Sequence, residues 1–310
     1  MASSAAQIAE SIVESAARIA KAVSARALLV YLDAVPDLEK LRHAVKPPTE
    51  ILVITRDVRD VARAKEHGVR YLEVPPFNLT RMGQIKMATL LAFSQRLLDG
   101  GDVFVFVTGP VGQPVDSLVV MRVGQEYELF QSVNQPKLTE HVRRLVFQRA
   151  LNLMLELAHE GREGKPVGAL FVIGSYREVK QYCQQNIINP FRGYNEKERN
   201  LLDEAMHETI KEFCSIDGAF VIKGNGVIMS AGTTLRPTIA GEPLPQGLGA
   251  RHAAAAAITA TTRSIALTVS QSTGTVRVWR GGKLITEIEK GTRAPGEPHG
   301  PAEAERNRTA

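Results

Sequence analysis

Between Ala27 and Val123, five short apolar runs alternate with stretches of helical character: Ala27-Leu-Leu-Val-Tyr-Leu32, Ile51-Leu-Val-Ile54, Arg70-Tyr-Leu-Glu-Val74, Val103-Phe-Val-Phe-Val107 and Leu118-Val-Val-Met121. A run that is apolar at successive positions has to be covered on both faces, and a helix between strands carries the chain back to pair in parallel. Residues 26–132 are therefore expected to form an α/β domain with an open, mainly parallel sheet and helices on both faces. Ahead of it, Ile8, Ile12, Ala16, Ile19 and Val23 recur at helical spacing, so residues 1–25 read as an amphipathic helix. Alanine fills most of its apolar face, which favours packing on protein over lying on a lipid surface.

The chain has 310 residues, too many for one ordinary domain and enough for two. Hydrophobic residues make up 44% and charged residues 23%, a balance that supports packed cores and excludes global disorder. The formal charge of +5 and a pI near 9.2 come from scattered basic residues with no aromatic-interleaved stripe, so no nucleic-acid role is indicated. No apolar run reaches the length of a membrane span, and Glu10 and Glu14 interrupt the place of a secretory signal; a cytoplasmic location is expected. Cys183 and Cys214 have no second pair with which to form a zinc knuckle and read as core residues.

Downstream, Leu138, Val142, Leu145, Val146, Leu151, Met154 and Leu157 predict a connecting helix within residues 133–163, ended by Gly161. A loop with two aromatics, Asn189-Pro-Phe-Arg-Gly-Tyr194, is expected to cap the core of the second domain, within which it lies, with contact to a bound ligand as the alternative. Asn195 and Glu198 have the spacing of a capping box, which predicts a helix from Glu196 to Phe213. Ala219-Phe-Val-Ile222 and Val227-Ile-Met-Ser230 flank Lys223-Gly-Asn-Gly226 and predict a hairpin. Asp217 stands at its head, followed by the small residues Gly218 and Ala219; it is either a turn aspartate or a carboxylate that holds a divalent cation or orients a hydroxyl.

After a proline-rich loop from Pro237 to Pro245, Gly247-Leu248-Gly249-Ala250 leads through Arg251 and His252 into an alanine-rich helix. Unpaired N–H groups at such a start, beside Arg251 and His252, suit phosphate oxygens. Ile265–Val269 and Thr275–Arg280, joined by Ser270-Gln-Ser-Thr-Gly274, complete a second hairpin. The segment Gly291–Ala310 is rich in Gly, Pro, Glu and Arg without periodicity and is expected to be a disordered tail.

Three of these segments, Asp217-Gly218-Ala219, Gly249-Ala250-Arg251-His252-Ala253 and Ser270-Gln271-Ser272-Thr273-Gly274, resemble in order and separation the signatures of the diadenylate cyclases. The family's versions are Asp-Gly-Ala, Gly-Thr-Arg-His-Arg and Ser-Glu-Glu-Thr-Gly. The chain departs from them at Ala250, Ala253, Gln271 and Ser272. The resemblance spans residues 164–290 and implies a mixed-sheet α/β cyclase domain; Arg-His followed by alanines is similar to the archaeal-type branch. Residues 26–132 resemble the C-terminal domain of pyruvate kinase, through Gly101–Gly109 and the strand after it, which implies a structural or assembly role more than a retained regulatory site. No helix-hairpin-helix segment of the DNA-scanning members follows, so no DNA role is expected.

The resemblance implies condensation of two ATP molecules into cyclic di-AMP with loss of two pyrophosphates. It assigns Asp217 to hydroxyl orientation or metal binding, and Arg251, His252 and the Gly249 backbone to the triphosphate. Gly218, Ala219 and Ala250 fall within the same nucleotide-binding segments, and Leu235 and Ser270 fall where the family lines its adenosine pocket. Mg²⁺ or Mn²⁺ is the expected cofactor, because phosphate and carboxylate oxygens are hard ligands. The two equivalent linkages of the product imply a homo-oligomer with opposed cyclase faces. The alternative is a non-catalytic ATP- or cyclic-dinucleotide-binding sensor or assembly protein.

Overall fold

The computed structural model describes residues 2–35, 37–111, 113–125, 140–237 and 249–291, with side chains from residue 6 onward. Most of the proline-rich loop, Gly247, Leu248, Leu138 and almost all of the expected tail lie outside the described residues. The chain divides into two compact units, residues 1–135 and 136–310.

In the first unit, α1 (Ala2–Ala22) is followed by β1 (Ala27–Tyr31), α2 (Leu38–Ala44), β2 (Glu50–Thr55), α3 (Val58–Glu66), β3 (Arg70–Glu73), α4 (Arg81–Ser94), β4 (Val103–Thr108) and β5 (Ser117–Arg122). The sheet order is β3-β2-β1-β4-β5, parallel except for β5, which runs antiparallel to β4. The order turns back after β3, so α4 crosses to the opposite face from α2 and α3. On one face Leu28, Val30, Val53, Val105 and Val107 pack with Ala9, Ala16 and Ala20 of α1, Leu38 and Leu41 of α2, and Ala64 of α3. The alanines of α1 thus meet protein: they bring the helix close to β4 and β1. Asp37, Asp57 and Thr80 cap α2, α3 and α4 through their side chains.

The second unit opens with α5 (Arg144–Glu160), which packs on its own sheet against β10, β6 and β11 as one of that unit's core helices. Then follow β6 (Ala169–Gly174), a short α6 (Tyr176–Val179), β7 (Cys183–Gln185), α7 (His207–Phe213), β8 (Ala219–Lys223), β9 (Ile228–Leu235), α8 (Ala250–Thr261), β10 (Ile265–Val269), β11 (Val276–Arg280) and β12 (Lys283–Ile288). The sheet order is β12-β11-β10-β6-β8-β9-β7; β6 and β8 are parallel and every other pair is antiparallel. Ala255, Ala256 and Ile258 of α8 cover Leu170, Val172, Ala219, Val221, Ala266 and Trp279.

The helix expected from Glu196 to Phe213 is confined to His207–Phe213, after a 3₁₀ turn at Glu204–Met206. Half of the capping box forms, since the Asn195 N–H donates to Glu198 Oε2 at 2.9 Å, yet no helix follows it. The intervening chain is drawn onto the β8–β9 turn instead: Leu201 N–H donates to Gly226 O at 2.8 Å and Asn200 bridges to Val227. The aromatic loop packs as a cap through Phe191, whose ring lies 5.7 Å from Phe213 and 5.9 Å from Phe220. Cys214 is buried and Cys183 half-buried, and burial pushes the Cys183 thiol up to about 11.

Candidate active site

At the edge where β8 begins and β10 ends, the chain encloses a cavity of about 830 Å³. Asp217, Gly218, Ala219, Leu235, Gly249, Ala250, Arg251, His252 and Ser270, all singled out in the sequence, line it together. Leu170, Thr233, Thr234 and Arg277 also line it and had not been singled out. None of the residues Asn189–Tyr194 does.

Parallel pairing of β6 with β8 and antiparallel pairing of β6 with β10 bring the start of β8 and the end of β10 to the same sheet edge. Gly218 turns the chain into β8 at φ +122°, and a Cβ there would sit 2.6 Å from backbone atoms of Gly232 and Thr233. Only glycine fits that approach. Asp217 is thereby held out into solvent with its side chain 98% exposed, and Arg251 Nη2 donates to its Oδ1 at 2.7 Å.

Gly249 is the N-cap of α8, and no described side chain caps it. The His252 N–H donates to Gly249 O at 3.0 Å, while the Ala250 and Arg251 N–H groups have no acceptor among the described residues and, with the positive end of the helix dipole, stand at the same cavity as the Arg251 side chain. Ser270 sits in the tight β10–β11 turn: its N–H donates to Thr275 O at 3.0 Å and its O accepts from Gly274 N–H at 2.8 Å.

His252 is 7% exposed and lies over Trp279, with ring centroids 6.2 Å apart. Its Nε2 lies 3.1 Å from Arg277 Nη1, and a guanidinium can only donate, so Nε2 is the acceptor and the imidazole proton sits on Nδ1. Burial, reinforced by Arg277 and Arg251, lowers the His252 pKa to about 4. This histidine is neutral at physiological pH. Its buried Nδ1 has no partner among the described residues.

Arg277 donates through Nε to Glu287 Oε2 at 3.0 Å from the neighbouring strand. The sequence did carry a signal for it. Arg277 alternates with Val276 and Val278 and shares the helix-covered face with buried Trp279, a place where a charge needs a partner. Among the described residues no group of three or more His, Cys, Asp or Glu could cage a metal, and Asp217 is the cavity's one lining carboxylate.

This arrangement, a helix start without a side-chain cap among the described residues, two arginines and one exposed carboxylate around one cavity, is that of a nucleotide-binding α/β domain. A family profile described as "DisA bacterial checkpoint controller nucleotide-binding" matches residues 156–284, and one described as "Probable sensor domain DacZ_P" matches residues 9–130. The chain is 36% identical over 242 residues to a diadenylate cyclase of Haloferax volcanii, covering 75% of this chain and 86% of that one. It is 38% identical over 207 residues to a diadenylate cyclase of Methanocaldococcus jannaschii, covering 64% of this chain and 63% of the relative's length. A solved structure of DacA from Staphylococcus aureus superposes with a TM-score of 0.34 at 23% identity, over 47% of this chain and 86% of that chain. The chain belongs to the diadenylate cyclases, nucleotidyltransferase-type enzymes that make cyclic di-AMP from ATP. No helix among the described residues is long and apolar enough to cross a membrane.

Proposed function

We propose that the chain works as a metal-dependent diadenylate cyclase in which two copies of the cavity, on two subunits, face one another. Each 3′-hydroxyl oxygen bonds to the α-phosphorus of the opposite ATP, the bond from that phosphorus to the β-phosphate bridging oxygen breaks, and pyrophosphate leaves; two such steps close the ring. The observation that carries the reading is the gathering of Asp217, the α8 start and Ser270 around one cavity. The cavity's 830 Å³ is within the size range of small-molecule sites and can take one nucleotide.

In this reading the N–H groups of α8 and the Arg251 guanidinium bind the triphosphate, and His252 serves as a neutral packed support beside them. Leu235 and Ser270 contact the base or ribose. Asp217 orients the attacking hydroxyl or accepts its proton. A Mg²⁺ or Mn²⁺ ion, when bound, neutralises charge on the phosphates. The donor set fits such an ion, because one exposed carboxylate plus substrate phosphates and water is a usual Mg²⁺ environment, whereas an all-protein cage is not needed. When the triphosphate draws Arg251 away, the Asp217 carboxylate is freed for that work.

We read the first unit as a sensing or assembly module, in keeping with the profile it matches, and the location as cytoplasmic, in keeping with the sparing use of cysteine. The test is to incubate pure protein with ATP and Mg²⁺ or Mn²⁺ and to look for cyclic di-AMP by mass spectrometry. Binding of ATP without product would replace this reading by a nucleotide sensor.

A further inference from the structure

Arg277 is the charged lining residue of the cavity that lies outside the three cyclase signatures. It reaches the cavity from near the start of β11, not from the α8 start. At that start Ala253 stands where the family's signature has a second arginine, so α8 brings Arg251 alone. Arg277 uses Nε on Glu287 and Nη1 on His252; among the described residues its Nη2 has no hydrogen-bond partner. Its side chain is 17% exposed, so a charged group with donors not used by Glu287 or His252 stands at the wall of the cavity.

We propose that Arg277 is a phosphate-binding residue, supplying from the sheet the second cation that the α8 start lacks. The assignment rests on the reading of the cavity as an ATP site. Glu287 and His252 fix the plane of the guanidinium from two sides, which leaves its remaining donors set in direction before a phosphate arrives. A lysine at this place could not hold both neighbours and still present a fork. The same placement lets Arg277 act without Asp217, whose partner is Arg251.

A purely structural role is the competing account. Arg277 and Glu287 are directly opposite on β11 and β12 and would make a stabilising cross-strand pair with no ligand present. The two accounts differ in what each partner's removal does. Glu287→Gln and Arg277→Gln each abolish the ion pair, whereas a phosphate contact is lost with the arginine and largely survives Glu287→Gln, whose amide oxygen can still accept from Arg277 Nε.

The experiment measures the affinities of adenosine, ADP and ATP in metal-free buffer by calorimetry for wild type, Arg277→Gln, Arg277→Lys and Glu287→Gln. Expected for Arg277→Gln is a loss of about tenfold or more for ATP, a smaller loss for ADP and none for adenosine. Arg277→Lys should recover part of the ATP affinity, and Glu287→Gln should stay within about threefold of wild type. Equal weakening by Arg277→Gln and Glu287→Gln, or equal weakening across the three ligands, would overturn the assignment in favour of the structural pair. Unchanged ATP affinity in Arg277→Gln overturns it as well. If Arg277→Gln does not fold, Arg277→Lys decides by the same criterion: ATP weakened more than adenosine supports the assignment, and uniform weakening ends it. A wild-type protein that binds none of the three ligands would instead defeat the ATP reading beneath it.

Discussion

Asp217 and Arg251, 34 residues apart in the chain, meet in an ion pair at 2.7 Å across the mouth of the cavity. The carboxylate is 98% exposed and the guanidinium 28% exposed, so water and salt screen the pair and its hold on either partner is weak. A triphosphate offers Arg251 more charge and more oxygens than one carboxylate does. On the proposed mechanism the pair is a resting arrangement that substrate would exchange, releasing the carboxylate to orient the hydroxyl. Gly168 makes room for it: a Cβ there would lie 2.8 Å from Arg251 Nη1.

Replacing Asp217 by Asn should therefore separate binding from chemistry. Arg251 loses its resting partner, and ATP affinity in metal-free buffer should stay the same or rise by a few fold, while cyclic di-AMP formation falls by at least about a thousandfold. Calorimetry and mass spectrometry on the same preparation check both halves. Turnover within tenfold of wild type would remove Asp217 from the mechanism.

Gly218→Ala tests the backbone beneath that carboxylate. The φ of +122° is foreign to alanine, and the new Cβ would press on the Gly232 and Thr233 backbone, which cannot rotate away as a side chain can. The β8–β9 pairing should open locally at a cost on the order of 2–4 kcal/mol. Urea denaturation should show the loss. A variant as stable as wild type would mean that β8 and β9 sit further apart than described.

His252 makes a pH prediction. Its ordinary value is 6.5 and in the fold it is lowered to about 4, by burial first and by Arg277 and Arg251 after it. Between those values the unfolded chain takes up a proton that the folded chain refuses, so stability falls as pH drops from about 6.5 to 4 and the contribution is constant above 6.5. The full effect is at most roughly 3 kcal/mol. His252→Gln should remove this part of the acid sensitivity. Denaturation curves at pH 7, 5.5 and 4.5 that fall equally steeply in both proteins would show that His252 titrates normally.

The strands were largely legible because each is apolar where it is covered twice, as in Ala27–Tyr31 and Ala169–Gly174, where burial is complete along the whole strand. The segment after Asn195 was not, because its local signal was real and lost to a tertiary one: Leu201 and Asn200 bond to the β8–β9 turn, and a helix through them would forfeit those contacts. At the cavity, Asp217 and the Arg251-His252 pair were legible as short segments. That Arg251 reaches Asp217, and that His252 has its Nε2 occupied by Arg277 from β11, depends on strand order, which no local pattern encodes. Arg277 itself was visible as a charge between valines and gained meaning only when Trp279 set the face it shares.

The proposed opposed-site arrangement gives the sharpest solution test. One cavity holds one helix start, Gly249 to His252, and one lining carboxylate, Asp217, while the product has two equivalent linkages. Two ATP molecules must then meet about a twofold axis, which one copy of the cavity cannot supply. The sequence has no second Asp-Gly-Ala, and its other Arg-His pair, Arg42-His43, lies near the end of α2 with His43 Nδ1 bonded to Glu39 O at 2.8 Å. When wild type is mixed with an equal amount of Asp217→Asn and subunits exchange, random pairing leaves about one wild-type pair in four, since a mixed pair can form one linkage and not both. Cyclic di-AMP output should drop to roughly a quarter of the undiluted value, with the half-closed linear dinucleotide accumulating. Independent sites would give one half. Product measured across a series of mutant fractions, with exchange verified by capture of a differently tagged subunit, separates a curve that follows the square of the wild-type fraction from a straight line. A straight line with exchange proven would leave the mechanism without its second ATP.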